Sequence, residues 1–205
     1  MLYTETVEPN TLGLLKDLSK ETILKNFVLV GGTALALQIG HRKSIDLDFF
    51  SPNTFDSQVL LNKLQENFDI VPVNIDNNTL IAEINGIKVD FIRFRYNFQK
   101  PYLIEDGLKI LTPTDIAPMK IDAITGRGHK KDFFDLYFLL QYFSLDQILE
   151  NYKTMFGHSI IFHVLKSLTY FEDAEINPDP ILISDEINWK KVKTKIITEV
   201  NTFAS

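Results

Sequence analysis

The stretch FVLVGGTALALQIGHRKSIDLDFFSP, Phe27 to Pro52, leaves the chain few options. FVLV is a short β-rich run halted by Gly31 and Gly32. TALALQI contains only residues a helix accepts, and Gly40 is placed to end it. SIDLDFF then alternates Ile45, Leu47 and Phe49 against Asp46, Asp48 and Phe50. This alternation predicts a strand with one apolar face and one face carrying two carboxylates. A strand, a glycine turn, a short helix and a second strand in so little chain demand a layered α/β core.

The aspartates ask for a partner. Two residues apart on a strand, Asp46 and Asp48 point the same way, roughly 6.5–7 Å apart. Like charges held that close repel unless a cation lies between them. Oxygen donors of this kind suit Mg²⁺ or Mn²⁺. The plainer alternative is a solvated or aggregation-blunting acidic face. Gly31-Gly32-Thr33 adds a turn whose backbone amides can approach a phosphate at a helix N-terminus. A phosphate cradle beside a metal clamp is the equipment for binding a nucleoside triphosphate and transferring part of it.

The rest of the chain reads as two halves. Before the stretch, residues 11–26 have helical apolar spacing. After it, DSQVLLNKLQENF predicts an amphipathic helix, followed by strands DIVPVNI, TLIAEI and IKVDFIRF. Asn85-Gly86 joins the last two as a two-residue hairpin. From about Thr112 the pattern turns helical, at 119–126, 131–143, 145–155, 158–169 and 185–203, with 172–186 loop-like. TPTD predicts a Thr cap and Pro at the first helical position. Pro118 predicts a kink or restart. The boundary falls near 108–113, which divides the chain into an α/β core over 1–110 and a helical domain over 111–205.

Composition narrows the classes. With 45% hydrophobic residues and sixteen Phe among 205 residues, the chain can bury a substantial core. It has no cysteine, which excludes disulfides and thiolate metal sites and fits a cytoplasmic location. Neither a signal peptide nor a membrane span is expected. The net charge of −6 argues against nonspecific grip on nucleic acid, though not against a local basic face. Such faces are sought at His41-Arg42-Lys43, at Arg93 and Arg95, at Arg127 to Lys131, and in KKVKTK over 190–195.

GGTALAL…HRKSIDLDFF resembles the signature of the polymerase-β-like nucleotidyltransferase superfamily. MKIDAITGRGHKKDFFDLYFLL resembles the late motif of one branch, the AbiEii nucleotidyltransferase toxins. The resemblance covers roughly residues 27 to 140. It implies an α+β fold with a mixed sheet, flanking helices and a helical C-terminal region. It also implies an enzyme that moves a nucleoside monophosphate from a triphosphate to an acceptor, with Mg²⁺ or Mn²⁺. The implied role is the toxin of a toxin–antitoxin or phage-defence pair, with RNA, such as a tRNA 3′ end, as acceptor and a cognate antitoxin protein as partner.

The superfamily expects a third carboxylate from a neighbouring strand. Asp90 in IKVDFIRF is the candidate, since Ile87, Val89 and Phe91 alternate against Lys88, Asp90 and Ile92. It would bind metal or act as base on an attacking hydroxyl; the alternative is a surface acid paired with Lys88 or Arg93. Arg42 and Ser44 are candidate phosphate contacts, with a salt bridge and a structural strand start as the alternatives. In the late motif, Lys120 and Arg127 lie two helical turns apart and share a face. Lys120 suits the β- and γ-phosphates. Asp132 and Asp135 would orient Lys120 or receive the ribose or base, while Phe133, Leu136, Tyr137 and Leu140 pack. His129 reads as a loop residue. Two rivals remain from the residues: a transferase whose acceptor is a small molecule or protein hydroxyl, and a non-catalytic nucleotide-binding regulatory module. A Rossmann binder fails for want of G-x-G-x-x-G after a strand.

Overall fold

The computed structural model describes residues 1–157 and 161–205. The chain divides into two compact units. One comprises Met1–Asn97 with Pro101–Thr112; the other comprises Phe98–Lys100 with Pro113–Ser205.

The first unit is built on a seven-stranded mixed sheet. Its strands are β1 (Val28–Val30), β2 (Leu47–Ser51), β3 (Ile70–Asp76), β4 (Thr79–Ile84), β5 (Ile87–Arg93), β6 (Leu103–Glu105) and β7 (Leu108–Ile110). Their order is β3-β4-β5-β2-β1-β7-β6. β2 runs parallel to β5 and β1 parallel to β7, and β1 and β2 are antiparallel. The continuous apolar run of β1 suits a strand covered on both faces, and all three of its residues are buried. β4 and β5 alternate instead: Leu80, Ala82, Val89 and Phe91 face the core. Phe91 meets Phe27 edge-on and stacks with Phe49, at centroid distances of 5.6 and 5.4 Å. Ring pairs of this kind add about 0.5–1.5 kcal/mol to their area burial.

Turn chemistry sets the hairpins. Asn85 and Gly86 both have positive φ, as a type I′ turn requires. Asp106-Gly107 does the same between β6 and β7, a hairpin absent from the sequence reading because its strands are only three residues long. β3 lies at the sheet edge and shifts register between Pro72 and Asn74. Proline is tolerated there because an edge strand has one side without ladder bonds.

Three helices accompany this sheet: α1 (Pro9–Leu18), α2 (Gly31–Ile39) and α3 (Ser57–Leu64). The expected helix over 11–26 is shorter, because the chain turns after Leu18 and makes only a 3₁₀ turn at Thr22–Leu24. α2 ends at Gly40, which is left-handed at φ 66°. The Asp56 side chain caps α3 by accepting from the N–H of Gln58 and Val59.

The second unit is helical: α4 (Pro113–Arg127), α5 (Lys130–Leu139), α6 (Leu145–Phe156), α7 (Phe162–Leu168), the short α8 (Glu172–Glu175) and α9 (Trp189–Ala204). The expected helix over 158–169 starts on 158–160, which lie outside the described residues; α7 accounts for its later part. Two expectations for α4 need correction. The helix does not restart at Pro118 but continues through it as one element, with one backbone bond forfeited near the N-terminus. Thr112 Oγ1 has no hydrogen-bond partner, so it is not a cap. The buried Asp115 carboxylate instead accepts the N–H groups of Gln99 and Lys100, each at 3.0 Å. That contact is why Phe98–Lys100 belongs to the helical unit. α6 carries a complete Ser144–Gln147 capping box and ends on left-handed Gly157. α9 buries Val192, Ile196 and Val200, a stripe at four-residue spacing. Among the described residues no helix is long and apolar enough to cross a membrane.

Candidate active site

In the sheet unit, the candidate residues converge where α2 begins and β2 and β5 run side by side. Gly31 has φ +71°, a conformation that L side chains rarely adopt. A Cβ added there would stand 2.4 Å from Asp48 Oδ2. The turn therefore needs glycine twice over, for its backbone and for the approach of the carboxylate. At Gly32 an added Cβ would meet the Arg42 guanidinium at 2.2 Å. Thr33, buried at the start of α2, donates its hydroxyl to the Asp46 carbonyl, and Ser44 Oγ is 2.8 Å away. Arg42 is buried and donates to the Lys43 carbonyl at 2.9 Å. Gly31, Gly32, Thr33, Arg42, Ser44, Asp46 and Asp48 thus form one neighbourhood.

Register brings the third acid in. Asp48 of β2 sits opposite Asp90 of β5 in a parallel pair. Val89 and Phe91 are fully buried on one face of β5, so Asp90 lies on the other, as expected. Asp90 is 9% exposed. Its Oδ2 accepts from Lys88 Nζ at 3.1 Å, while the buried Oδ1 has no hydrogen-bond partner. A buried carboxylate oxygen without a donor is costly. Lys88 feels all three acids: burial lowers its pKa, but Asp90, Asp46 and Asp48 outweigh that and hold it above the ordinary lysine value. A protein cation faces these carboxylates, whose oxygens are of the kind a divalent ion takes. Among the described residues no three His, Cys, Asp or Glu side chains are gathered as a metal cage. The acids form a face and not a closed shell.

The strand reading needs one adjustment. β2 begins at Leu47, so Ile45 and Asp46 precede it. Ile45, assigned to the apolar face, is 60% exposed. The pattern Ile-Asp-Leu-Asp-Phe continues an alternation beyond the segment that actually pairs.

In the helical unit, Lys120 and Asp132, Asp135 and Arg127 form a tight network. Lys120 Nζ lies 2.9 Å from Asp132 Oδ1 and 2.6 Å from Asp135 Oδ2. Arg127 Nε donates to Asp132 Oδ2 at 3.0 Å. Lys120 is 5% exposed, and both aspartates are fully buried. Burial pushes the Asp132 carboxyl up, but Lys120 and Arg127 outweigh it and hold it below the usual carboxylate value. Both Asp132 oxygens are engaged with cations, so the contact made here is the orienting of Lys120.

Some basic groups proved less available than expected. His41 and Arg42 are buried, and Lys43 donates to the Glu5 carbonyl, so that trio is not an exposed basic face. Lys130 is buried, pairs with Asp179 at 3.0 Å and lies over the Trp189 ring. Arg95 and Arg127 are exposed. Phe133, Leu136 and Leu140 are buried as expected, and Tyr137 only in part. Sequence reasoning named Lys88 only as the alternative partner of Asp90, and that pair is present at 3.1 Å. The period-2 pattern that placed Asp90 also places Lys88 beside it.

Comparison with known proteins places this chain in a family. A family model described as nucleotidyl transferase AbiEii toxin, type IV toxin–antitoxin system, matches residues 13–204. An uncharacterized protein of Aquifex aeolicus is 35% identical over 177 residues, covering 83% of this chain and 84% of its own. The fold is similar to that of JHP933 from Helicobacter pylori, with TM-score 0.53, 16% identity and coverage of 96% and 92% of the two chains. It is also similar to MenT4, a nucleotidyltransferase toxin of Mycobacterium tuberculosis, with TM-score 0.54, 14% identity and coverage of 88% and 76%. The expected α+β class, a mixed sheet with flanking helices and a helical C-terminal region, is the one observed. With nearly its whole length matched by the family model, the chain belongs to the AbiEii nucleotidyltransferase toxin family and is a nucleotidyltransferase.

Proposed function

We propose that the protein transfers a nucleoside monophosphate from a triphosphate to an RNA end, with Mg²⁺ or Mn²⁺ held by Asp46, Asp48 and Asp90, as the toxin partner of a cognate antitoxin. The observation that carries the metal and nucleotide part is the glycine turn closed against Asp48, with Asp90 in register beside it and its Oδ1 lacking a donor. When bound, the ion supplies positive charge between the carboxylates and the phosphates. The amides at Gly31, Gly32 and Thr33 bind phosphate oxygens at the start of α2, where the helix dipole favours negative charge. Arg42 and Ser44 orient the same phosphates. The family resemblance assigns Lys120, Arg127 and Asp135 to the nucleotide and Asp132 to catalysis; within their own unit the two acids orient Lys120.

In the reaction, an acceptor hydroxyl oxygen forms a bond to the α-phosphorus, and the bond from that phosphorus to the β-phosphate bridging oxygen breaks. Pyrophosphate leaves, and the hydroxyl proton passes to water, since Asp90 is assigned to the metal. RNA as the acceptor rests on the family and on exposed cations such as Arg95, in a chain that is acidic overall. Cytoplasmic action follows from the same reading, because triphosphates and RNA are found there.

The test is incubation of the protein with Mg²⁺, each labelled triphosphate in turn and total cellular RNA. RNA and protein are then resolved on gels. Label in RNA, falling steeply with salt as phosphate contacts require, is the expected result. Label only in protein, or none despite triphosphate binding, overturns the RNA acceptor.

A further inference from the structure

We infer that Lys88 is a resident counter-ion of the acid face, a positioning residue that holds Asp90 until a divalent cation displaces its ammonium, and so sets how much cation the site requires. The inference rests on the metal reading above and goes beyond it, because it concerns a residue that donates nothing to a metal.

Register, hydrogen bonding and exposure carry it. Lys88 and Asp90 are two apart on β5, so both side chains leave the same face of the sheet. That face is the one on which β2 sets Asp48 directly beside Asp90. Pairing starts at Leu47 with Val89, so Lys88 lies one residue before it on β5, and Asp46 immediately precedes β2. Lys88, Asp90 and Asp48 are therefore neighbours on a two-strand patch, with Asp46 just before β2.

Next, the lysine spends only half of the acid it touches. Nζ sits 3.1 Å from Asp90 Oδ2, and Oδ1 is buried with no donor. The orphan oxygen is a coordination position kept open, while its partner oxygen is occupied by an ammonium.

Finally, the two partners differ in exposure. The Lys88 side chain is 53% exposed and that of Asp90 12%. The carboxylate is held in place and the ammonium is at the edge of solvent. Lysine has a flexible four-carbon stem and a strongly hydrated head, so moving it from Asp90 into water costs little. A divalent ion at the same carboxylates would gain more charge interaction than one ammonium supplies, while any ammonium left in place would repel it. Lys88 thus does two things. It offsets the charge of Asp90 in the cation-poor protein, and it competes with the cation that replaces it.

Binding of Mn²⁺ alone to the full chain, without nucleotide and at low salt, tests this. The readout is loss of the free-ion electron paramagnetic resonance signal, which is independent of turnover. Removing the competing charge with Lys88→Gln should tighten Mn²⁺ about tenfold, on the scale of partly screened charge pairs. Lys88→Arg, which keeps the charge, should stay within about twofold of wild type, on the scale of an unchanged charge. Thermal unfolding without metal should show Lys88→Gln folded but less stable than wild type. Mn²⁺ affinity that is unchanged or weaker in Lys88→Gln overturns the inference, as does equal tightening in Lys88→Arg. No Mn²⁺ binding in either wild type or Lys88→Gln overturns it as well. Asp48→Asn separates the two levels. If it keeps wild-type Mn²⁺ affinity, the metal reading itself fails; if it loses affinity while Lys88→Gln gains none, only the role of Lys88 fails.

Discussion

The two units use the same residue types in opposite ways. Asp48, Asp90 and Lys88 lie on a sheet face, where the lysine is half in solvent and one carboxylate oxygen lacks a donor. Asp132, Asp135 and Lys120 lie among the helices, almost wholly buried, with the ammonium shared between both acids and Arg127 completing Asp132. The first arrangement is unfinished and gains from a ligand. The second is complete, and its value is order. Charge pairs in a motif therefore say little about role until burial and satisfaction are known.

The sharpest way to break this contrast is to remove the shared cation of the closed network. Lys120→Met would leave two fully buried carboxylates facing each other. We expect a loss of about 3–5 kcal/mol of stability, measured by urea unfolding of the isolated protein. A loss under about 1 kcal/mol, the scale of exposed pairs, would make the network no more than a surface one. Loss of transfer in any Lys120 variant must therefore be read together with its folded fraction.

Asp48→Asn should do the reverse. It removes one of three like charges on a half-exposed face, so stability without metal should hold or rise slightly. Transfer should fall by at least about a hundredfold, the scale of one lost transition-state contact. Near-normal Mg²⁺-dependent turnover in a folded sample would remove Asp48 from the site.

Gly31→Ala should damage both stability and site, by a smaller amount. The left-handed backbone costs a non-glycine residue roughly 1–2 kcal/mol, and the new methyl must displace the Asp48 carboxylate. Alanine at this position with unchanged stability and Mn²⁺ affinity would show that the turn tolerates a side chain.

The smallest expected effect is in the acid limb of stability. The Asp132 carboxyl titrates below its unfolded value near 3.9. Its contribution is therefore present above about pH 4 and lost as pH falls through the lower folded value. Asp132→Asn should flatten that limb, as seen in unfolding free energies between about pH 5 and 2. An acid limb as steep as that of wild type would mean that other carboxylates govern it.

Much of this was legible from local rules. The Asn85-Gly86 turn, the left-handed Gly40 and the alternation that put Asp90 on the acid face each depend on residues within a few positions of each other. Period-2 and helical patterns report which face of an element is apolar, because the backbone geometry of strand and helix is fixed. Where the patterns misled, the cause was the extent of an element. Ile45 fits the alternation yet precedes the paired strand, and Pro118 fits a break yet sits inside a continuous helix.

By itself the sequence determined that acids, glycines and cations of the right kinds lie at the right spacing, and which family they belong to. Tertiary structure alone decided that Asp48 and Asp90 are register partners, that Lys88 has taken one oxygen of Asp90 and left the other, and that Lys130 and Arg42 are buried and not available as surface charges. The physical reason is that register, burial and hydrogen-bond satisfaction belong to pairs of elements distant in the chain. No local periodicity encodes which oxygen of a carboxylate will be left without a donor.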